Sequence, residues 1–323
     1  MLDLAPVVEG GTAAQAFENS RDLARHVESL GFHRFWLAEH HSMPGIASAA
    51  TSIVIAHVAA ATSTIRVGAG GIMLPNHSPL LIAEQFGTLE TLFPGRIDLG
   101  LGRAPGSDPQ TARALRRDPA AADMFPQDVA ELIHYFREPS PDQKVRAIPG
   151  AGLDIPVWIL GSSLFGAQLA GAFGLPFAFA SHFAPRLLTE ALAAYRASFR
   201  PSDRLAEPYA MLGISIIAAD TDAEARRLFT SVQQSFVNLR RGEPVTLPPP
   251  RDDFERELTP HDRLALADTL SESIVGSPET VGRKVRALIQ RTGANELMIA
   301  SQIYDHSARR RSFEIVAGQR SAD

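Results

Sequence analysis

Short β-rich runs alternate with helical patterns almost from one end of the chain to the other. That rhythm restricts the fold more than any single motif. The runs are "LDLAP" (2–6), "RFWLA" (34–38), "TIRVGAG" (64–70), "RIDLGLG" (96–102), "VWILG" (157–161), "PFAFAS" (176–181), "MLGISIIAA" (211–219) and "NELMIAS" (295–301). They are mostly apolar on both faces, as strands of a helix-covered parallel sheet must be. Between them, Ala16, Leu23, Val27 and Leu30 share one face of a helix over 12–30, stopped by Gly31. An Ala-rich helix is expected at about 48–62, and others at 79–92, near 126–136 and at 278–292. One more is capped by Asp220, and a polar helix closes the chain. Residues 238–262, with "LPPPRDD", read as an irregular insertion. Eight strand–helix units in 323 residues predict an α/β fold, a (β/α)8 TIM barrel with insertions, as one domain over 1–323. An open doubly wound sheet is the alternative.

Composition narrows the function classes. A net charge of −5 gives no basic field to recruit nucleic acid or anionic membrane. The Arg309–Arg311 run reads as a solvated helix face. With no cysteine there is no disulfide, thiolate metal site or cysteine nucleophile, which fits a reducing cytoplasm. The N-terminus lacks the basic start and apolar core of a signal peptide. The stretch 46–62 is too polar to span a membrane and reads as a buried helix.

In a barrel the C-terminal strand ends share one mouth. Glu39-His40-His41 follows the second run, Asn76-His77 the third, Arg103 the fourth, Ser162-Ser163 the fifth and Ser181-His182 the sixth. The histidines lack the two-residue strand spacing of a barrel metal site, and no H-E-x-x-H occurs, so no metal is predicted. "GLGRAPG" resembles a nucleotide loop, but Pro105, Gly106 and Pro109 argue against the helix that a dinucleotide fingerprint requires. Arg103 suits a phosphate. Ser162 or Ser163 either caps a helix or leaves its first amides to bind an anion. "GAGG" (68–71) ends the third run in glycine. This suits either a tight turn or a backbone pressed against a flat ligand.

"FWLAEHHSMPGIAS" (35–48), "GAGGIMLPNHSPLLIAEQFGTLETLFPGRIDLGLGRAPGSD" (68–108) and "WILGSSLFGAQLAGAFGLPFAFASHFAP" (158–185) together resemble the bacterial luciferase-like flavin monooxygenases, in particular their MsnO8-type branch. The resemblance runs from Leu2 to about Phe313. It implies a barrel that binds reduced FMN and uses O2 on a small organic substrate, fed by a separate NAD(P)H:flavin reductase, as a homodimer. It further implies a non-prolyl cis peptide at Gly70-Gly71 beneath the flavin ring, which favours the ligand over the plain turn. Arg103, Ser163 with its neighbour Ser162, and Gly166 match phosphate-binding positions. His40 matches the catalytic histidine, with Glu39 and His41 supporting it and His77 next in line. A hydride-transferring relative using deazaflavin F420 and a non-catalytic flavin binder are the rivals on this fold.

Overall fold

In a computed structural model, residues 1–104, 108–117 and 119–319 are described. The strands are β1 (Leu2–Asp3), β2 (Arg34–Leu37), β3 (Arg66–Met73), β4 (Ile97–Gly102), β5 (Val157–Gly161), β6 (Phe177–Phe179), β7 (Ala210–Ala218), β8 (Ile274–Gly276) and β9 (Glu296–Ala300). Every named strand pairing is parallel. β1 through β7 pair in chain order, and β9 closes the ring between β7 and β1. The result is the eight-stranded (β/α)8 barrel, and the open sheet is excluded. β8 stands outside the ring. It pairs with Ile216–Ala218 of β7, beyond the Met211–Ser215 stretch paired to β9.

Local chemistry explains most boundaries. Thr12 caps the helix Ala13–Ser29 by accepting the Gln15 N–H at 3.2 Å. The Ala-rich helix shortens to Thr51–Ala59 and buries Val54, Ile55 and Val58, while Ile53 faces outward. Several expectations need correction. The cap of the helix Asp222–Arg240 is Thr221, whose hydroxyl accepts from Glu224 N; Asp220 instead pairs with Arg311 at 2.7 Å. Pro109, read as a helix breaker, is the first residue of the helix Pro109–Ala114, where its missing N–H costs nothing. Pro105 and Gly106 lie outside the described residues. The supposed insertion 238–262 contains the helix Phe254–Glu257 and the start of Pro260–Thr269, the latter held by a Thr259/Asp262 capping box. Among the described residues no helix is long and apolar enough to cross a membrane.

Inside the barrel, alternate residues point inward. Trp36 and Trp158 meet edge to face with ring centroids 5.2 Å apart, and Tyr209 also meets Trp158 edge to face, at 5.7 Å. Beneath them Asp98, fully buried, accepts from Arg34 at 2.6 Å, Arg66 at 2.8 Å and the Trp36 indole N–H at 3.0 Å. Arg34 also grips Glu296 at 3.0 Å. This plug fills the N-terminal half of the barrel, the half that carries stability in this fold. Toward the other end the inward residues shrink to Ala38, Gly70, Ala178 and Ala300, so the interior opens.

A second buried ion pair overturns the reading of Arg309–Arg311 as wholly solvated. Arg309, on the helix His306–Ala317, is 2% exposed and donates to Asp3 of β1 at 2.7 Å. The Ser20 hydroxyl also donates to Asp3, at 2.5 Å.

Candidate active site

A cavity of about 810 Å3 opens at the C-terminal ends of the strands. His40, Gly70, Gly71, Arg103, Ser162, Ser163 and Gly166 all line it, so these predicted residues come together. Glu39, His41 and His77 do not line it. Glu39 is 1% exposed and accepts from His41 Nε2 at 2.8 Å, His77 Nε2 at 2.9 Å and the Met73 N–H at 2.9 Å. Its own N–H donates to Gly71 O at 3.3 Å. Burial pushes its carboxyl up, but these hydrogen bonds outweigh burial and hold it below the usual range. A carboxylate only accepts, so both Nε2 atoms carry protons. Glu39 and His77, predicted as catalytic, therefore form a brace tying the loop after β2 to β3. This brace sets where His40 emerges on the cavity wall.

The Gly70–Gly71 bond is cis, as the resemblance implies, and the β3–β4 register shifts between Ala69 and Ile72. The glycines have a reason of their own within the barrel. A Cβ on Gly71 would lie 2.7 Å from the Gly100 carbonyl oxygen, and one on Gly70 would lie 2.9–3.1 Å from Leu2 and Trp36. Close packing against the backbone, independent of any ligand, thus requires glycine at position 71, whereas at position 70 only side-chain atoms crowd the added carbon. Gly166 differs, because a Cβ there would meet only ordinary contacts at 3.6 Å and beyond. Its bareness toward the cavity is not a packing requirement.

Ser163 occupies the N-cap position of the helix Leu164–Ala172 but makes no side-chain capping bond. This removes the simple capping reading. The first-turn amides lack intrahelical partners, as at any helix start, and here they border the cavity. The Arg103 guanidinium lies 4.2 Å above the Phe165 ring and has no ion pair among the described residues. An N-terminal dipole, a free hydroxyl and a fixed cation make an anion cradle.

His182 follows β6 on the cavity wall, and only its position after an apolar run hinted at it in the sequence. Its ring stands edge-on to Phe183 at 4.7 Å, and a Cβ on Gly213 would come within 2.6 Å of Nδ1. Gly213 thus makes the seat for the imidazole. The Ser181 hydroxyl already donates to the Gly213 carbonyl at 2.6 Å, and Nδ1 has no hydrogen-bond partner among the described residues. Burial lowers the His182 pKa to about 4; the Gly213 backbone opposes the shift and the nearby His40 adds to it. The folded protein therefore binds fewer protons than the unfolded chain between about pH 4 and 6.5. Stability from this group is full above pH 6.5 and falls as pH drops through that window. Urea unfolding should show up to about 2 kcal/mol lost between pH 7 and pH 5, and His182→Gln should flatten that slope. An unchanged slope in the variant would assign the acid sensitivity to another group.

Among the described residues, no Asp or Glu lines the cavity. Its ionisable members are His40, His182, Arg103 and Arg240.

The model of the family described as luciferase-like monooxygenase matches residues 2–296. A luciferase-like monooxygenase of Escherichia coli (strain K12) is 56% identical over 316 residues, covering 98% of this chain and 94% of the relative. The crystal structure of apo-MsnO8 superposes with a TM-score of 0.92 at 36% identity, covering 99% of this chain and 97% of that one. The oxygenating component of a 3,6-diketocamphane monooxygenase from Pseudomonas putida, solved with FMN, superposes at 0.75 with 21% identity over 99% of this chain and 96% of that one. This last likeness is one of fold. The sequence match extends over nearly the whole barrel, and the chain belongs to the luciferase-like monooxygenase family.

Proposed function

We propose that the chain is an FMN-dependent monooxygenase acting on a small organic substrate. The observation that carries this reading is the anion cradle of Arg103, Ser163 and the amides up to Gly166, in a cavity of flavin-sized capacity. The chemistry of the donors fits a phosphate monoester. Arg103 supplies a fixed charge, Ser162 and Ser163 supply hydroxyls, and Gly166 keeps the helix start bare. The flavin ring would lie toward Gly70–Gly71 and His40. When bound, reduced FMN supplies the electrons with which O2 delivers one oxygen atom to substrate. The chain's own part is to bind, orient, exclude bulk water and handle protons. His40, on the wall and held by the Glu39 brace, is the proton carrier. A separate NAD(P)H:flavin reductase supplies the reduced flavin, in keeping with the lack of a nicotinamide fingerprint. The enzyme works as a cytoplasmic homodimer.

The test is flavin selectivity. Charge-assisted hydrogen bonds contribute on the order of 1.5–3 kcal/mol each, so Arg103→Ala should weaken FMN binding about 10–100-fold. Riboflavin, lacking the phosphate, should lose no more than a few fold. Equal losses for both flavins would overturn the assignment of the cradle.

A further inference from the structure

The outer wall of the cavity has a different character from the cradle. Val232, Ser235, Phe236, Leu239 and Arg240 line it from the helix Asp222–Arg240. Their spacing is one face of that helix, repeated over its last two turns. Val245 joins them, and Leu239 and Val245 leave 47% and 42% of their surface uncovered. This is apolar surface turned toward a space that an apolar ligand would fill.

One charge interrupts that surface. Arg240 donates to the Thr269 hydroxyl at 3.2 Å and has no ion pair among the described residues. Its neighbour Arg241 is turned away from the cavity wall and pairs with Asp262 at 2.8 Å. The chain carries 36 acidic residues, yet none of the described ones lines the cavity. The helix C-terminus favours a cation at Arg240 through its dipole but offers no formal counter-charge. The carbonyls of Val237, Asn238 and Leu239 already accept from the N–H groups of Arg241, Glu243 and Gly242. Arg240 is exposed at the rim of the cavity, and a guanidinium without a carboxylate partner beside an apolar wall favours an anion from the ligand.

We propose that Arg240, steadied by Thr269, anchors the substrate, and that the substrate is an apolar molecule bearing one carboxylate or sulfonate group. The proposal rests on the monooxygenase reading, since it names the substrate class of that site. It leaves the phosphate cradle to Arg103 and gives the cavity two anion positions, one for cofactor and one for substrate. Arg240 is a specificity-determining residue, and the apolar wall holds the rest of the substrate.

The probes are octanoate, octane-1-sulfonate and neutral octan-1-ol, which share a chain length and differ in charge. Each is titrated calorimetrically into the flavin-free full chain. Both anions should bind at least 10-fold tighter than the alcohol. Arg240→Met keeps much of the stem but removes the charge, and should erase that preference while leaving octan-1-ol within two-fold. Arg241→Met, on the outward side, should leave all three probes unchanged and serves as the folding control. FMN affinity of Arg240→Met should stay within two-fold of the parent. Equal binding of octanoate and octan-1-ol by the parent would overturn the proposal. So would loss of FMN but not riboflavin affinity in Arg240→Met, which would make Arg240 a second phosphate ligand. Loss of octanoate binding in Arg103→Ala would likewise overturn it, by placing the anion in the cradle. Failure of the chain to bind FMN at all would sink the monooxygenase reading while leaving the octanoate result to stand by itself.

Discussion

His40→Ala is expected to lower substrate-dependent turnover by about 10²–10⁴-fold, the usual cost of removing a positioned proton carrier. FMN affinity and thermal unfolding should hardly change. His40 reaches the cavity wall, whereas Glu39, His41 and His77 are committed to the brace behind it. The contrast variant is Glu39→Gln, which keeps the shape but puts an amide NH2, a donor, either against the Met73 N–H or against the two Nε2–H groups. It should cost stability and misplace His40, so flavin affinity and melting temperature shift along with turnover. Oxygen consumption with a panel of aldehydes and ketones, normalised to folded enzyme, gives the rate. If His40→Ala keeps turnover within a few fold of the parent while its melting temperature drops, the histidine is structural and the assignment fails.

Arg309→Ala should destabilise the fold by about 3–5 kcal/mol, the largest stability effect expected of any single change here. The substitution leaves Asp3, fully buried, with one neutral hydroxyl from Ser20. It also releases the Ser301 carbonyl, which accepts from Arg309 Nε at 2.7 Å. The pair joins the first strand to the last helix, so its loss loosens the seam between β1 and β9. Removing both charges, in Asp3→Asn with Arg309→Met, should recover most of the loss, because no unpaired charge then remains buried. Urea midpoints for the single and the double variant give the answer. A single-variant loss below about 1 kcal/mol would mean that water reaches Asp3.

The barrel was legible because its strands carry runs apolar on both faces, and eight such runs leave few topologies open. What escaped did so for physical reasons. β8 has three residues, too few for any periodicity, and forms by extending β7 past its partner β9. Arg309 hides in a run of three arginines. The clue was positional, since Arg309, Ser312 and Phe313 fall on one helical face, and Asp3 sits between two leucines in a strand that would need a partner for it. At the site, strand-end position picked out His40, Arg103 and Ser163 correctly as wall residues. It could not separate wall from brace, because adjacent residues in the loop after β2 point in different directions. Glu39 and His77 are legible as polar residues near a mouth, but their mutual hydrogen bonds join loops 38 residues apart. The Gly70–Gly71 pair reads as a surface for a ligand, and the contact with the Gly100 carbonyl gives Gly71 a packing reason besides.

The stepwise narrowing of the barrel interior has a consequence for how such enzymes diverge. Ala38, Ala178 and Ala300 stand on the cavity floor in neighbouring layers above the tryptophan pair. Their flanking strand residues, such as Leu37, Phe177, Phe179 and Ile299, face the helices and belong to the outer core. Depth of the chamber therefore depends in part on three small side chains that belong to the inner cluster and not to the core under the helices. Exchanging one of them for a bulkier residue raises the floor without disturbing the shell, the brace or the cradle. A lineage can in this way change the size of the molecule it admits while inheriting its cofactor chemistry whole.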